Sequence, residues 1–202
     1  MSQVRFTKNA LRDEQRKLSQ LEKYLPTLQL KKGLLQAEVQ STKGTIGEKL
    51  RLLEDAKRGL DRFSALFATD ALPFSNLLEV THVSKSYENI AGVESPVFQG
   101  VTFPDEIFSL FDTPAWSESA LCFAKDAIKI REEIAVLEEK KRNVEKELRD
   151  VSIRVNLFEK ILIPRSRILV QKIRVFLGDQ ELASVAQAKI AKKKTEEKRE
   201  RL

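Results

Sequence analysis

Between Leu11 and Phe67 one pattern repeats. Alternate steps of three and four residues visit Leu18, Leu21, Leu25, Leu28, Leu35, Val39, Ile46, Leu53, Ala56, Leu60 and Phe63, with Glu14, Lys32, Thr42 and Lys49 as polar exceptions. Thirteen of the 17 positions are hydrophobic, against 8 of the other 40 in the span. That contrast predicts one long helix with a single apolar seam and a solvated remainder. A second seam starts at Ala120 and runs through Phe123, Ala127, Ile130, Ile134, Leu137, Val144, Leu148, Val151, Val155, Phe158, Leu162, Leu169 and Phe176 to Ile190, with Lys141, Arg165, Lys172 and Asp179 as its polar members. Here 17 of 21 positions are hydrophobic, but so are 18 of the other 50, and the excess lies mainly in Leu157–Leu177. A stretch apolar on more than one side predicts contact beyond its coiled-coil partner.

At about 1.5 Å per residue the two seams correspond to helices of roughly 85 Å and 105 Å. The 3.5-residue repeat predicts a left-handed supercoil. Gly33, Gly44, Gly47 and Gly59 weaken the first helix by up to about 1 kcal/mol each relative to alanine. Pro26 and Pro164 each remove a helix hydrogen bond, and kinks rather than breaks are expected there because both seams continue past them.

The stretch between the seams has another grammar. Four of the six prolines fall in 70–119, and LEVTHVSKSYENIAGVESPVFQGVTF is rich in β-branched and aromatic residues, with Asn89, Gly92 and Gly100 as turn formers. A β-hairpin is predicted, with strands near 78–90 and 96–103. A lone hairpin is marginal in water, so it should pack on the helices or on a partner. FPDEIFSLFDTPAW then reads as a short helical turn and loop.

The expected architecture is therefore all-α dominated: a long antiparallel two-helix coiled coil with a short central β-hairpin insert. The parts are an N-terminal helix at 1–69, the insert at 70–119 and a C-terminal helix at 120–202. Folding back with Phe67 beside Ala120 sets Leu53 against Ile134, Val39 against Leu148, Leu25 against Leu162 and Leu18 against Leu169. Glu14 then falls beside Lys172 and Lys49 beside Glu138. A parallel homodimer would stack Lys32, Lys49, Lys141 and Lys172 on themselves, which like-charge repulsion disfavours.

Charge sharpens this division. Net charge is +6 over residues 1–69, −7 over 70–119 and +7 over 120–202. Within the ends, residues 1–32 carry +5 and residues 160–202 carry +7, so the folded-back pair places both basic ends at one pole, opposite the acidic insert. The tail AKKKTEEKRERL also reads as an ordinary solvated charge run. Nucleic-acid binding competes for the same charge, but aromatic interleaving and any known module are missing. One cysteine, Cys122, excludes an internal disulfide and favours a reducing compartment. No apolar run reaches the roughly 18 residues of a membrane span, and the N-terminus lacks an apolar signal core. A cytoplasmic location without membrane insertion is the expectation.

Chemistry is sought and not found. KGTIGEKL at Lys43–Leu50 lacks phosphate-loop spacing and sits inside a heptad. His82 stands in a predicted strand without other metal ligands nearby, and Cys122 opens a helix without a histidine. Pairs such as Glu132-Glu133 and Glu138-Glu139 have the spacing of a solvated helix face. No catalytic residue, cofactor or metal site is expected.

Three stretches together resemble the D subunit of V-type and A-type rotary ATPases. TKNALRDEQRKLSQLEKYLPTLQLKKGLL at 7–35 is similar to the family's N-terminal helix, with Lys31 and Lys32 standing in its basic patch. ENIAGVESPVF at 88–98 is similar to its central hairpin, and NLFEKILIPRSRILVQKI at 156–173 carries Ile163-Pro164-Arg165, which looks like its IPR core. Pro26 and the lysine-rich tail depart from the family's pattern.

The resemblance implies a non-catalytic rotor shaft. Its termini would point into a ring of nucleotide-binding A and B subunits, with the small F subunit of the stalk along its side. Its insert would lie toward the component that links the shaft to the membrane ring. Rotation would couple ATP hydrolysis or synthesis to H⁺ or Na⁺ transport, from the inner face of the membrane. The basic residues Arg165, Arg167, Lys172 and Arg174 are the expected partner-binding positions, centring the shaft through diffuse attraction. The other reading is a coiled-coil scaffold or adaptor, including one associated with nucleic acid.

Overall fold

The computed structural model describes residues 6–64, 77–104, 114 and 116–200. The seam position Phe67, its pairing with Ala120 and most of the turn and loop expected over 103–116 lie outside them. Helix α1 spans Lys8–Asp61. Thr7 caps it: its Oγ1 accepts the Ala10 N–H at 3.2 Å and its carbonyl accepts the Leu11 N–H at 3.0 Å, satisfying donors a helix start leaves open. Strands β1 (His82–Ile90) and β2 (Val93–Thr102) form one antiparallel hairpin. Helix α2 spans Trp116–Leu157, a π-helical turn follows at Phe158–Leu162, and helix α3 spans Ile163–Glu200. The all-α plan with a short hairpin is thus the architecture observed.

The chain divides into two units, Lys31–Asp150 and, separately, Met1–Leu30 with Val151–Leu202. In the first, α1 and α2 run antiparallel. Lys31 meets Glu147 at 2.7 Å, Glu38 meets Lys140 at 2.6 Å, Lys43 meets Glu145 at 3.2 Å and Lys49 meets Glu133 at 2.8 Å. Lys49 therefore finds a carboxylate five residues earlier than the expected Glu138. The seam is filled by Leu35, Val39, Ile46, Ile134, Val144 and the polar Thr42. Thr42 is tolerated there because its hydroxyl donates to the Glu38 carbonyl at 2.8 Å.

The hairpin packs on these helices. Its two-residue turn places Ala91 at φ 51° and Gly92 at φ 87°, the left-handed pair that matches strand twist. Asn89 Oδ1 accepts the Gly92 N–H at 2.8 Å. Lys85 reaches Glu139 at 2.7 Å, Lys125 lies 5.3 Å from the Phe103 ring centre, and Ser95 and Pro96 are fully buried. The strands are better matched than expected, because β2 begins at Val93 and holds Pro96 within it.

In the second unit, the N-terminal part of α1 pairs with α3. Lys8 bonds Glu181 at 3.0 Å and Glu22 bonds Arg167 at 2.7 Å, again antiparallel. Pro26 lies within continuous helix. At Pro164 the outcome is different: the Ile163 N–H reaches back five residues to the Phe158 carbonyl, making the preceding turn π-helical. A π turn takes up one extra residue, and the buried stripe moves accordingly. Val151 and Val155 are buried on the expected phase, but beyond the turn the buried positions are Ile163, Val170 and Ile173, with Ser166, Leu169 and Leu177 half-buried. Arg165, Lys172 and Phe176, which the uninterrupted repeat would place in the seam, are exposed. Glu14 correspondingly bonds Lys17 at 2.8 Å, not Lys172.

Candidate partner-binding surface

The four basic residues singled out above all lie on α3 and are exposed. Arg167 is engaged by Glu22, through its Nε at 3.2 Å and Nη2 at 2.7 Å. Among the described residues, Arg165, Lys172 and Arg174 form no ion pair. Their charge is available to solvent or to another molecule, and at such exposure each contact is worth little alone.

Between these cations runs an apolar stripe. Ile161, Ile168, Val175 and Leu182 recur every seven residues and are 54%, 54%, 58% and 71% exposed. Seven residues are two helical turns, so the four share one face. Sequence reading missed this stripe as a set of residues, although its signal was the apolar excess over 157–177. Part of it borders an open groove of about 540 Å³ lined by Phe6, Ile168, Gln171, Lys172, Val175, Phe176 and Asp179. Phe6, just ahead of α1, stacks obliquely on Phe176 with ring centres 5.1 Å apart and closes one side. A second groove, of about 410 Å³, has Lys8, Arg12, Arg174 and Gly178 among its lining residues.

The seam residues are distributed as follows. Leu18, Leu25, Leu53, Leu148, Leu162 and Leu169 are half-buried, and Ile134 is buried. The glycine stretch at 43–50 is part of α1, where a methyl group at Gly44 or Gly47 would meet nothing within 4 Å, and its Lys49 is occupied by Glu133. His82 lies exposed on β1 and Cys122 exposed on α2. Among the described residues no group of three or more His, Cys, Asp or Glu side chains is placed to hold a metal ion. Nor is any described helix long and apolar enough to cross a membrane. The arrangement offers a surface of apolar ridges flanked by cations, a chemistry of association.

Comparison with known proteins points the same way. Residues 10–193 match the family of ATP synthase D subunits. A V-type ATP synthase D subunit of Chlamydia abortus is 42% identical over 205 residues, covering 98% of this chain and 97% of its own. The protein of that name from Chlamydia trachomatis serovar L2 is 42% identical over 203 residues, covering 98% and 99%. That of Chlamydia pneumoniae is 42% identical over 198 residues, covering 96% and 94%.

Proposed function

The chain belongs to the family of ATP synthase D subunits, and from that premise we propose that its antiparallel helices turn as a shaft within a ring of nucleotide-binding subunits. It is a central-stalk component of a V/A-type ATPase, a membrane-associated complex, and its partners are other subunits of that complex. The observation that carries this is the match over nearly the whole chain, joined to a fold of two long helices and one hairpin. The scaffold or adaptor reading is not favoured beside it.

The finer reading follows from mechanics. A and B subunits form the ring and carry out the chemistry, while this chain contributes no catalytic group and transmits torque to a membrane rotor that moves H⁺ or Na⁺. The small F subunit lies along its side, and a linking component joins it to the membrane ring. Its place is cytoplasmic, peripheral to the inner face of the membrane. A shaft must present unlike faces to successive catalytic sites, and the cationic, apolar surface of α3 supports that requirement. A bearing should also avoid strong directional bonds, since each must break at every step. Exposed Arg165, Lys172 and Arg174 fit diffuse attraction and centring. In this reading residues 1–32 and 160–202 engage the ring, and the acidic insert 70–119 faces the membrane-side rotor.

A crosslink map of the assembled complex tests the polarity. Gln3→Cys, Ile90→Cys and Val185→Cys are introduced singly in a Cys122→Ser background. Positions 3 and 185 should crosslink to nucleotide-binding subunits and position 90 to the membrane-side rotor. Crosslinking of position 90 to the ring, without 3 and 185, reverses the polarity. Failure of the chain to copurify with nucleotide-binding subunits would remove the shaft role altogether.

A further inference from the structure

We infer that Pro164 is a positioning residue: by holding the π turn at Phe158–Leu162 it selects the packing phase of α3 that turns Arg165 and Lys172 out of the seam. The functional value of this choice rests on the reading of those two cations as partner-facing.

Two packing phases are written into residues 162–177. One continues the repeat of the preceding helix through Arg165, Leu169, Lys172 and Phe176. The other falls one residue later, at Ser166, Val170, Ile173 and Leu177. Each makes a workable seam. The first brings Leu169 and Phe176 inward, and its Lys172 would stand across from Glu14. The second brings three aliphatic side chains and a serine. The structure takes the second: Val170 and Ile173 are 8% and 0% exposed, while Arg165 and Lys172 are exposed. Glu14, the counter-ion the first phase would need, is bonded instead to Lys17.

One residue of helix separates the two phases, and one residue is what a π turn absorbs. The turn closes through the Ile163 N–H on the Phe158 carbonyl. The next residue is Pro164, which has no N–H to offer the Lys160 carbonyl and whose ring would press on that carbonyl in a regular α turn. The uninterrupted helix therefore loses a bond and gains a clash at one residue, and widening to a π turn eases the clash by giving the ring more room. With alanine at 164 the α bond becomes available and the first phase becomes accessible. Two discrete packings chosen by one backbone group form a two-state element.

The test reads thiol accessibility in the full-length chain. In a Cys122→Ser background, Lys172→Cys and Ile173→Cys are made singly and alkylated with a charged maleimide. With Pro164 present, position 172 should react at least about tenfold faster than 173, because reactivity follows exposure. In Pro164→Ala the ratio should fall toward one. Deleting Lys160 in the Pro164→Ala chain removes the extra residue, so the second phase needs no π turn and the ratio should recover. Phe176→Cys and Leu177→Cys give a second adjacent pair should Ile173→Cys unfold the chain. A ratio unchanged by Pro164→Ala overturns the inference, and so does a ratio near one in the parent chain. Coupled turnover of the assembled complex, measured without cysteine probes, separates the two readings. It should drop in Pro164→Ala and return when Lys160 is also deleted. If accessibility moves as expected while turnover does not, phase selection by Pro164 stands and the partner-facing role of Arg165 and Lys172 falls.

Discussion

The unit Lys31–Asp150 and the unit built from Met1–Leu30 and Val151–Leu202 use the same antiparallel pairing for different ends. In the first, α1 and α2 are laced by four ion pairs, and a hairpin covers them through Lys85, Phe103, Ser95 and Pro96. In the second, the ion pairs between helices among the described residues are Lys8–Glu181 and Arg167–Glu22, their side chains more exposed than those of the first unit's pairs taken together, and α3 keeps Ile168, Val175 and Leu182 in water. The first pair holds more of its charges in ion pairs between its helices and has a hairpin on it, although Leu34, Leu50 and Leu52 of α1 stay exposed. A pair that leaves a regular apolar stripe uncovered is shaped for contact with something else.

The seam offers the largest effect by which to break this contrast. Leu35→Ala and Ile173→Ala both remove side chains that are 0% exposed and should each cost about 2–5 kcal/mol in chemical denaturation. Half-buried Leu25 and Leu162 should lose less on the same change. If Leu25→Ala matches Leu35→Ala, burial does not govern the seam. Next comes the stripe. Ile168→Ser with Val175→Ser should leave the isolated chain within about 0.5 kcal/mol of the parent and weaken assembly by about tenfold, or 1.4 kcal/mol. A loss of isolated stability with unchanged assembly would make the stripe structural.

Smaller still is the difference between ion pairs. A double-mutant cycle on Glu38–Lys140, whose side chains are 28% and 15% exposed, should give a coupling approaching 1 kcal/mol. Lys8–Glu181, at 73% and 66%, should give almost none. Equal couplings would erase the distinction between the units. The smallest effect is at high pH. The hydrogen bond from Lys85 to Glu139 raises the lysine pKa above 10.5. Its contribution is therefore complete below 10.5 and is lost as pH rises through the folded-state value. Alkaline titration followed at Phe103 and Tyr87 should loosen the hairpin in the parent and show less change in Lys85→Met.

Much of this was readable from residue order because a single repeat dominates α1. Every described position of its stripe from Leu11 to Phe63 is buried or half-buried. The hairpin was readable from β-branched residues around Ala91–Gly92, although Pro96 obscured the start of β2. The phase change after Leu162 was not readable. Apolar residues occupy both candidate phases between Leu157 and Leu177, so a one-residue insertion leaves no gap in the pattern. The Lys49 partner was missed for a related reason: α2 carries carboxylates at both Glu133 and Glu138, and the repeat alone does not say which one packing brings to Lys49. The stripe at Ile161, Ile168, Val175 and Leu182 was visible as an excess but became a surface only once the buried phase was known.

The tip of the hairpin bears on how the chain acquires its structure. Ala91 occupies the left-handed region, at φ 51°, where a residue with a Cβ costs about 1–2 kcal/mol. A turn that begins with such a residue is a poor initiator, unlike the Asn-Gly pairs that form hairpins unaided. The strands should therefore join late, on a surface that α1 and α2 have already assembled, with Lys85–Glu139 and buried Ser95 and Pro96 arriving together. Replacing Ala91 by asparagine would make the turn self-starting. Refolding monitored at Tyr87 should then lose its dependence on helix pairing, and the order of events, rather than the final structure, would be what the substitution changes.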